Sequence, residues 1–309
     1  MGSLSVGRGA EVPRRLFLLC VPTVVPLAAT KRPMVGIRPP ITDEPLRLLA
    51  LLLLLPLLAA CDEPAPDPLS PAEAAERDSV LALLRAADTE SLAAAFDRLD
   101  AFRYRVVMQT EQFESGDQIA QRTLIAEVVP MAGGPDIDFV QIDSSGAFDF
   151  GGFAAFASES VESPLPAENP ATLALPDDPA YLDPRGRETF RFRFAPDTLL
   201  GDRRVQVLTV EAREDDQALR RARLYLDDEG ALVGVRLQRR TESVIFSEQS
   251  DTAVLLQPGP AGGWLPHLTR IETALGALGT DRRRFRLTRR YADFEPAAAA
   301  SNTLISTNG

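Results

Sequence analysis

The chain has 309 residues, of which 33 are basic and 44 acidic, for a net charge of −11. Nucleic acid is excluded as a partner on that balance, because its binding surfaces are basic. The two cysteines, Cys20 and Cys61, are too few for a thiolate metal site.

In chain order the first informative stretch is "LRLLALLLLLPLLAACDEPAPDP", Leu46 to Pro68. Its 13 residues from Leu48 to Ala60 carry no charge, short of the roughly 20 that span a bilayer. They match the apolar region of a secretory signal, which runs roughly 7–15 residues behind a positive segment; here Arg38 and Arg47 supply the cations and Asp43 and Glu44 dilute them. The run ends in Leu58, Ala59, Ala60 and Cys61. That ending resembles the bacterial lipobox, and the resemblance implies diacylglycerol transfer to the Cys61 thiol and cleavage between Ala60 and Cys61. The competing readings are a signal with a chance cysteine and an uncleaved anchor. Met34 to Ala60 counts 27 residues, an ordinary signal length. The expected start is therefore Met34 or a codon near it, with 34–60 the lipoprotein signal peptide and 1–33 a mis-annotated upstream segment. Against this, Arg14 and Arg15 precede a second signal-like run, "LFLLCVPTVVPLAA". Pro22 and Pro26 break it as a helix, and Leu19 ahead of Cys20 does not fit a lipobox. Without residues 1–60, which hold seven basic and three acidic side chains, the remaining 249 residues carry 26 against 41, a net charge of −15. They retain Cys61 alone, so no internal disulfide forms.

Residues 61–72, rich in Pro and acid, read as a semi-extended tether. Ser70 and Pro71 then offer an N-cap and first-turn proline for a helix to about Ala87, with Leu81, Leu83 and Leu84 on its apolar stripe. Asp88 or Thr89 starts a second helix to about Leu99, with Leu92, Ala95, Phe96 and Leu99 at helical spacing. After Asp100 the period changes to two. Phe102, Tyr104, Val106 and Met108 alternate with polar residues, as do Phe190, Phe192 and Phe194 with Arg191 and Arg193, and Phe285, Leu287 and Tyr291 with arginines. The segment 220–240 reads as two strands joined at Asp227–Gly230, a hairpin signal. Further strands are expected at 121–129, 138–143, 147–155, 204–212, 243–248, 252–257 and 267–274. The segment 157–186 reads as a long loop with a short helix, either a lid or an insertion, and 296–309 as a disordered tail. Strand after strand with turn-like gaps predicts a mainly β (α+β) fold: a strongly curved antiparallel sheet or incomplete barrel with N-terminal helices, as one domain over 73–295.

Three stretches, "GDRRVQVLTVEA" (201–212), "ARLYLDDEGALVGVRL" (222–237) and "GGWLPHLTRIET" (262–273) with the strand after it, resemble the LolA- and LolB-like superfamily of lipoprotein carriers and receptors. The resemblance implies an unclosed curved barrel with helices in its concavity and an apolar cavity able to take acyl chains. The aromatic-rich strands nominate its lining: Phe102, Tyr104, Val106, Met108, Phe190, Phe192, Phe194 and Trp264.

Catalytic patterns do not appear. His267 is the sole histidine, no G-x-S-x-G elbow accompanies it, and Asp136, Asp138 and Asp143 in "DIDFVQIDSS" lack the calcium-loop spacing and read as an acidic strand edge. The arginines of 282–290 read either as a contact for anionic headgroups or, more simply, as a solvated strand face beside acidic neighbours. The sequence thus predicts a non-enzymatic lipoprotein without metal or cofactor, anchored through Cys61 in the cell envelope, at the outer membrane and facing the periplasm. Its expected partners are the membrane and a lipid or lipoprotein acyl chain. A non-catalytic scaffold that meets another envelope protein is the alternative.

Overall fold

A computed structural model describes residues 68–131, 133–149, 163–175, 179, 181–183, 187–243, 246–277 and 282–297. The signal segment, Ala60, Cys61, most of the tether and residues 298–309 lie outside them, as do positions 150–155 of the strand expected at 147–155.

Ten strands form one antiparallel sheet: β1 (Phe102–Glu114), β2 (Asp117–Val129), β3 (Asp136–Gly146), β4 (Phe190–Leu200), β5 (Arg203–Ala212), β6 (Leu219–Leu226), β7 (Leu232–Glu242), β8 (Phe246–Pro258), β9 (Trp264–Ala277) and β10 (Arg283–Pro296). Two expected strands, 243–248 and 252–257, are one continuous strand, β8. The order is β3-β2-β1-β10-β9-β8-β7-β6-β5-β4. Every neighbour is thus a sequence neighbour except β1 and β10, and the meander stays open between β3 and β4. The sheet is therefore not a closed barrel, and β3 and β4, consecutive in the chain, are its two edges.

One face of this sheet is apolar along almost its full width. Alternation puts Tyr104 and Val106 of β1, Ala126 and Val128 of β2, Phe190 and Phe192 of β4, Val235 and Leu237 of β7 and Tyr291 of β10 into a single buried cluster. Residues near both edges meet in that one cluster, and β4 also touches β8, so the sheet curls around its contents. Register shifts at Arg103/Arg105, Gln112/Phe113, Ile125/Ala126, Ala195/Thr198 and Leu255/Leu256 supply the bends, since an extra residue in one strand kinks the ladder and increases its twist. This is the architecture that the LolA- and LolB-like resemblance implies.

The helices occupy the inner face. α1 (Pro71–Ala86) begins with a capping box in which Glu73 N–H donates to Ser70 Oγ and Ser70 N–H to the Glu73 carboxylate, two otherwise orphaned donors. It buries Val80, Leu81 and Leu84. α2 (Glu90–Asp97) buries Leu92, Ala95 and Phe96 and passes through a tight turn at Arg98–Ala101 into β1. Between the helices Asp88 behaves as a one-residue strand: its N–H donates to Gly230 O at 3.1 Å and its carbonyl accepts from Leu232 N–H at 3.0 Å. The helix pair is thereby tied to the β6–β7 turn.

That turn is itself organised by one carboxylate. Asp227 Oδ1 accepts from the N–H groups of Glu229 (3.0 Å) and Ala231 (2.8 Å), and Oδ2 accepts from Trp264 Nε1 at 2.7 Å. Gly230 sits at φ 83°, a conformation open to glycine at little cost. Asp227→Ala leaves the buried indole N–H and two turn amides without acceptors, a loss of about 2–3 kcal/mol. Urea unfolding followed through Trp264, the only tryptophan, should show a lower midpoint at unchanged slope; an unmoved midpoint would mean that packing alone holds the turn.

Candidate ligand pocket

The chain must travel from β3 at one edge to β4 at the other, and its described pieces lie against the inner face. Gln112, almost fully buried, pairs with the backbone of Asp149 through two 2.8 Å bonds, Nε2–H to the carbonyl and Oε1 from the N–H. Phe148 then lies edge-on to Phe285 at 6.2 Å, over a second small core of Met108, Leu124, Phe285 and Leu287. Further on, Arg289 Nε donates to Pro164 O at 3.1 Å. Asn169 caps the short helix α3 (Pro170–Ala174) through Oδ1, and its Nδ2 donates to Ala93 O of α2 at 3.1 Å. Tyr181 meets Phe190 edge-on at 6.5 Å.

Between this crossing segment and α1 and α2 the structure leaves a cavity of ≈ 390 Å³. Leu224 and Leu232 form its floor, Leu84, Ala87 and Ala93 its helical wall, and Ala171, Leu175, Pro179, Tyr181 and Leu182 its cover; Thr89, Glu90 and Thr172 add polar groups. The floor and helical wall are locked together by Ser91, whose hydroxyl donates to Leu232 O at 2.8 Å. Space remains where alanines of the helices face alanine and proline of the cover. Glu90 is the only carboxylate among these residues, and none is His, Cys or Lys. The lining suits partition of an apolar group far better than proton transfer. Burial pushes the Tyr181 phenol up to about 12, with Arg239 acting in the opposite sense, so this ring stays neutral well into alkaline pH.

The residues nominated from sequence are placed elsewhere. Tyr104, Val106, Phe190, Phe192 and Trp264 pack in the main core and Met108 in the second one. Phe102 is buried edge-on to Phe294 at 6.1 Å. Phe194 is 40% exposed, its N–H donating to Glu76 of α1 at 2.9 Å. None of the eight lines the cavity. Of the residues that do, Leu84, Leu224 and Leu232 follow the helix and strand periods of the core, whereas alanine, threonine and proline within a loop or a helix end give no periodic signal; the "NPA" at 169–171, an N-cap followed by a first-turn proline, is the legible trace.

Outside the cavity, Arg283, Arg284 and Arg286 of the 282–290 stretch have acidic neighbours. Arg283 pairs with Glu114 at 3.2 Å and Asp149 at 2.8 Å. Arg286 bridges Glu272 at 2.7 Å and Glu111 at 3.3 Å. Arg284 reaches Glu272 at 3.5 Å and lies 4.1 Å over the Phe113 ring. His267 is exposed on β9, its pKa lowered by desolvation and then by Arg290. Among the described residues no group of three or more His, Cys, Asp or Glu is placed to hold a metal.

No protein-family model and no curated protein matches the chain. Solved structures similar to it include a candidate outer membrane lipoprotein-sorting protein domain from Vibrio parahaemolyticus, 12% identical over 73% of this chain and 95% of that one, with a TM-score of 0.25. A DUF1329 family protein from Desulfovibrio piger is 7% identical over 69% and 93%, with a TM-score of 0.26. A LolA superfamily protein from Nitrosomonas europaea is 10% identical over 72% and 93%, with a TM-score of 0.23. At these TM-scores the likenesses carry no functional weight, and the fold rests on the strand order and register themselves.

The buried phenol gives a pH signature. Between pH 10 and about 12 the unfolded chain ionises Tyr181 and the folded chain does not, so the stability it contributes is complete below pH 10 and falls as pH rises. Tyr181→Phe removes that component. Stability measured by urea at pH 8 and pH 11 should then drop less than in the parent; an equal drop would mean that the ring is open to water.

Proposed function

We propose that this is a lipid-anchored, non-catalytic envelope protein that takes an apolar ligand, the acyl chain of a lipid or of another lipoprotein, into the cavity beneath the crossing segment. The observation that carries the reading is the cavity itself: ≈ 390 Å³ walled mainly by leucine, alanine, proline and one tyrosine, with Thr89, Glu90 and Thr172 as its polar groups, within the roughly 300–1,000 Å³ of typical ligand sites. At about 0.8 kcal/mol per buried methylene, a chain placing roughly eight methylenes there gains about 6 kcal/mol before ordering costs. An anchor on Cys61 would hold the domain at the outer membrane, in the periplasm, close to such chains.

Two measurements test the two halves separately. Intact mass spectrometry of the chain purified from native membranes should give a species that begins at Cys61 and carries acyl mass; an unacylated chain retaining earlier residues would remove the anchor. Palmitate displacing a fluorescent fatty acid from the purified protein should report the cavity. Ala93→Phe, which fills the helical wall, and Thr172→Phe, an exposed position on the cover, should each weaken binding by about tenfold or more, the equivalent of some two lost methylenes. Unchanged binding in both variants, with both folded, would place the ligand elsewhere or nowhere.

A further inference from the structure

The outer face of the sheet is knitted by charge from strand to strand, and the pattern stops at one edge. Arg103 of β1 pairs with Glu127 of β2. Arg286 of β10 lies between Glu111 of β1 and Glu272 of β9. Arg270 of β9 and Arg236 of β7 both reach Asp251 of β8, at 3.6 and 2.7 Å. Every junction from β2 round to β7 thus carries an opposite-charge pair. At β3 the partners fail. Asp136, Asp138 and Asp143 stand opposite Val129, Glu127 and Thr123 of β2, and no ion pair to any of the three occurs among the described residues.

The opposite face of β3 is equally unfinished. Ile137, Phe139 and Ile142 stand opposite the buried Val128, Ala126 and Leu124, so they continue the apolar inner row. Yet Phe139 is 43% and Ile142 54% exposed, and Val140 at the bulge between them is 60% exposed. An exposed edge strand presents unpaired N–H and C=O groups and normally carries a device that prevents pairing. The other edge has one: α1 lies along β4, Glu76 takes the Phe194 N–H, and Glu73 and Glu188 engage Arg191 and Arg77. No element covers β3 among the described residues.

We infer that β3 is a docking edge for an extended segment of a partner protein in which basic and apolar residues alternate. The added strand would extend the ladder antiparallel to β3, its apolar side chains covering Phe139 and Ile142 and its cations facing Asp138 and Asp143, as strand-addition complexes do. The same complementarity disfavours a second copy of this chain, because two β3 strands would set aspartates against aspartates. Within this chain Phe190–Phe194 has the matching alternation, but α1 already occupies its free side.

The test uses the intact chain and a labelled Val-Arg-Val-Arg-Val-Arg-Val peptide, with a Val-Glu counterpart and a version of the basic peptide N-methylated at alternate residues. Fluorescence anisotropy should detect the basic peptide and neither control. Amide exchange over Asp136–Gly146 should slow when it binds. Asp138→Arg with Asp143→Arg, both at exposed positions, should weaken it about tenfold and admit the Val-Glu peptide instead. Equal binding of the N-methylated peptide would show mere charge attraction and overturn the inference. So would absence of binding, or protection of β3 by a second copy of the chain at rising concentration.

Discussion

The structure depends on a single missing junction. In a sheet whose strands follow one another as a meander and whose first and last strands already pair, pairing of β3 with β4 would close a barrel. The chain instead leaves β3 and crosses to the far edge before it enters β4. Two consequences follow at once. The inner face gains a covering layer from the crossing segment, which α1 and α2, of 16 and 8 residues, are too short to provide alone. And two strand edges are left, one sealed by α1 and one uncovered among the described residues. An open curved sheet with a filled concavity is thus a result of topology, with the apolar row of each strand fixing only which side is filled.

That division explains what could be read from sequence. The two-residue period of "FRYRVVMQ" and "FRFRF" marks strands and their inner faces without any tertiary information, and Tyr104, Val106, Phe190 and Phe192 do lie on that side. The hairpin at Asp227–Gly230 was legible from turn chemistry, although not that its aspartate also holds Trp264. The cavity was not legible, for a definite reason. Alternation identifies the residues that could line a hollow, whereas a hollow exists where side chains are small and walls are held apart. Ala87, Ala93 and Ala171 satisfy that condition only because Asp88 and Asn169 fix the backbone on either side, and both contacts link residues far apart in the chain.

Charge is divided with the same logic. On the outer face each exposed pair contributes little, about 0–1 kcal/mol, but a pair of opposite sign across each junction from β2 round to β7 favours one register, since a slip of one residue would turn the arginines into the core. Asp251 shows the balance in detail: burial raises its pKa, and hydrogen bonds from Arg236 and Gln238 more than offset that, holding it below the usual carboxylate range. On the inner face the alternation of β10 is broken once, where Arg289 lies between Leu287 and Tyr291. Burial pulls its pKa down, and a cation there is costly unless its donors are used.

The use it finds identifies how the cover is held. Arg289 donates to the Pro164 carbonyl, Asn169 to the Ala93 carbonyl, and Tyr181 rests on Phe190. The helical wall, by contrast, is joined to the sheet by a two-way backbone bridge at Asp88, by Ser91 and by a continuous buried stripe from Val80 to Phe96. Among the described residues the cover is held by side-chain donors, a ring contact and the burial of Ala171, Ala174 and Tyr181 in the main core, while the wall adds backbone pairing to its apolar stripe. Among the described residues the cover reaches the sheet and α2 through side chains, without the backbone bridge that ties the wall to the β6–β7 turn, so local opening is expected on the side of the cover first.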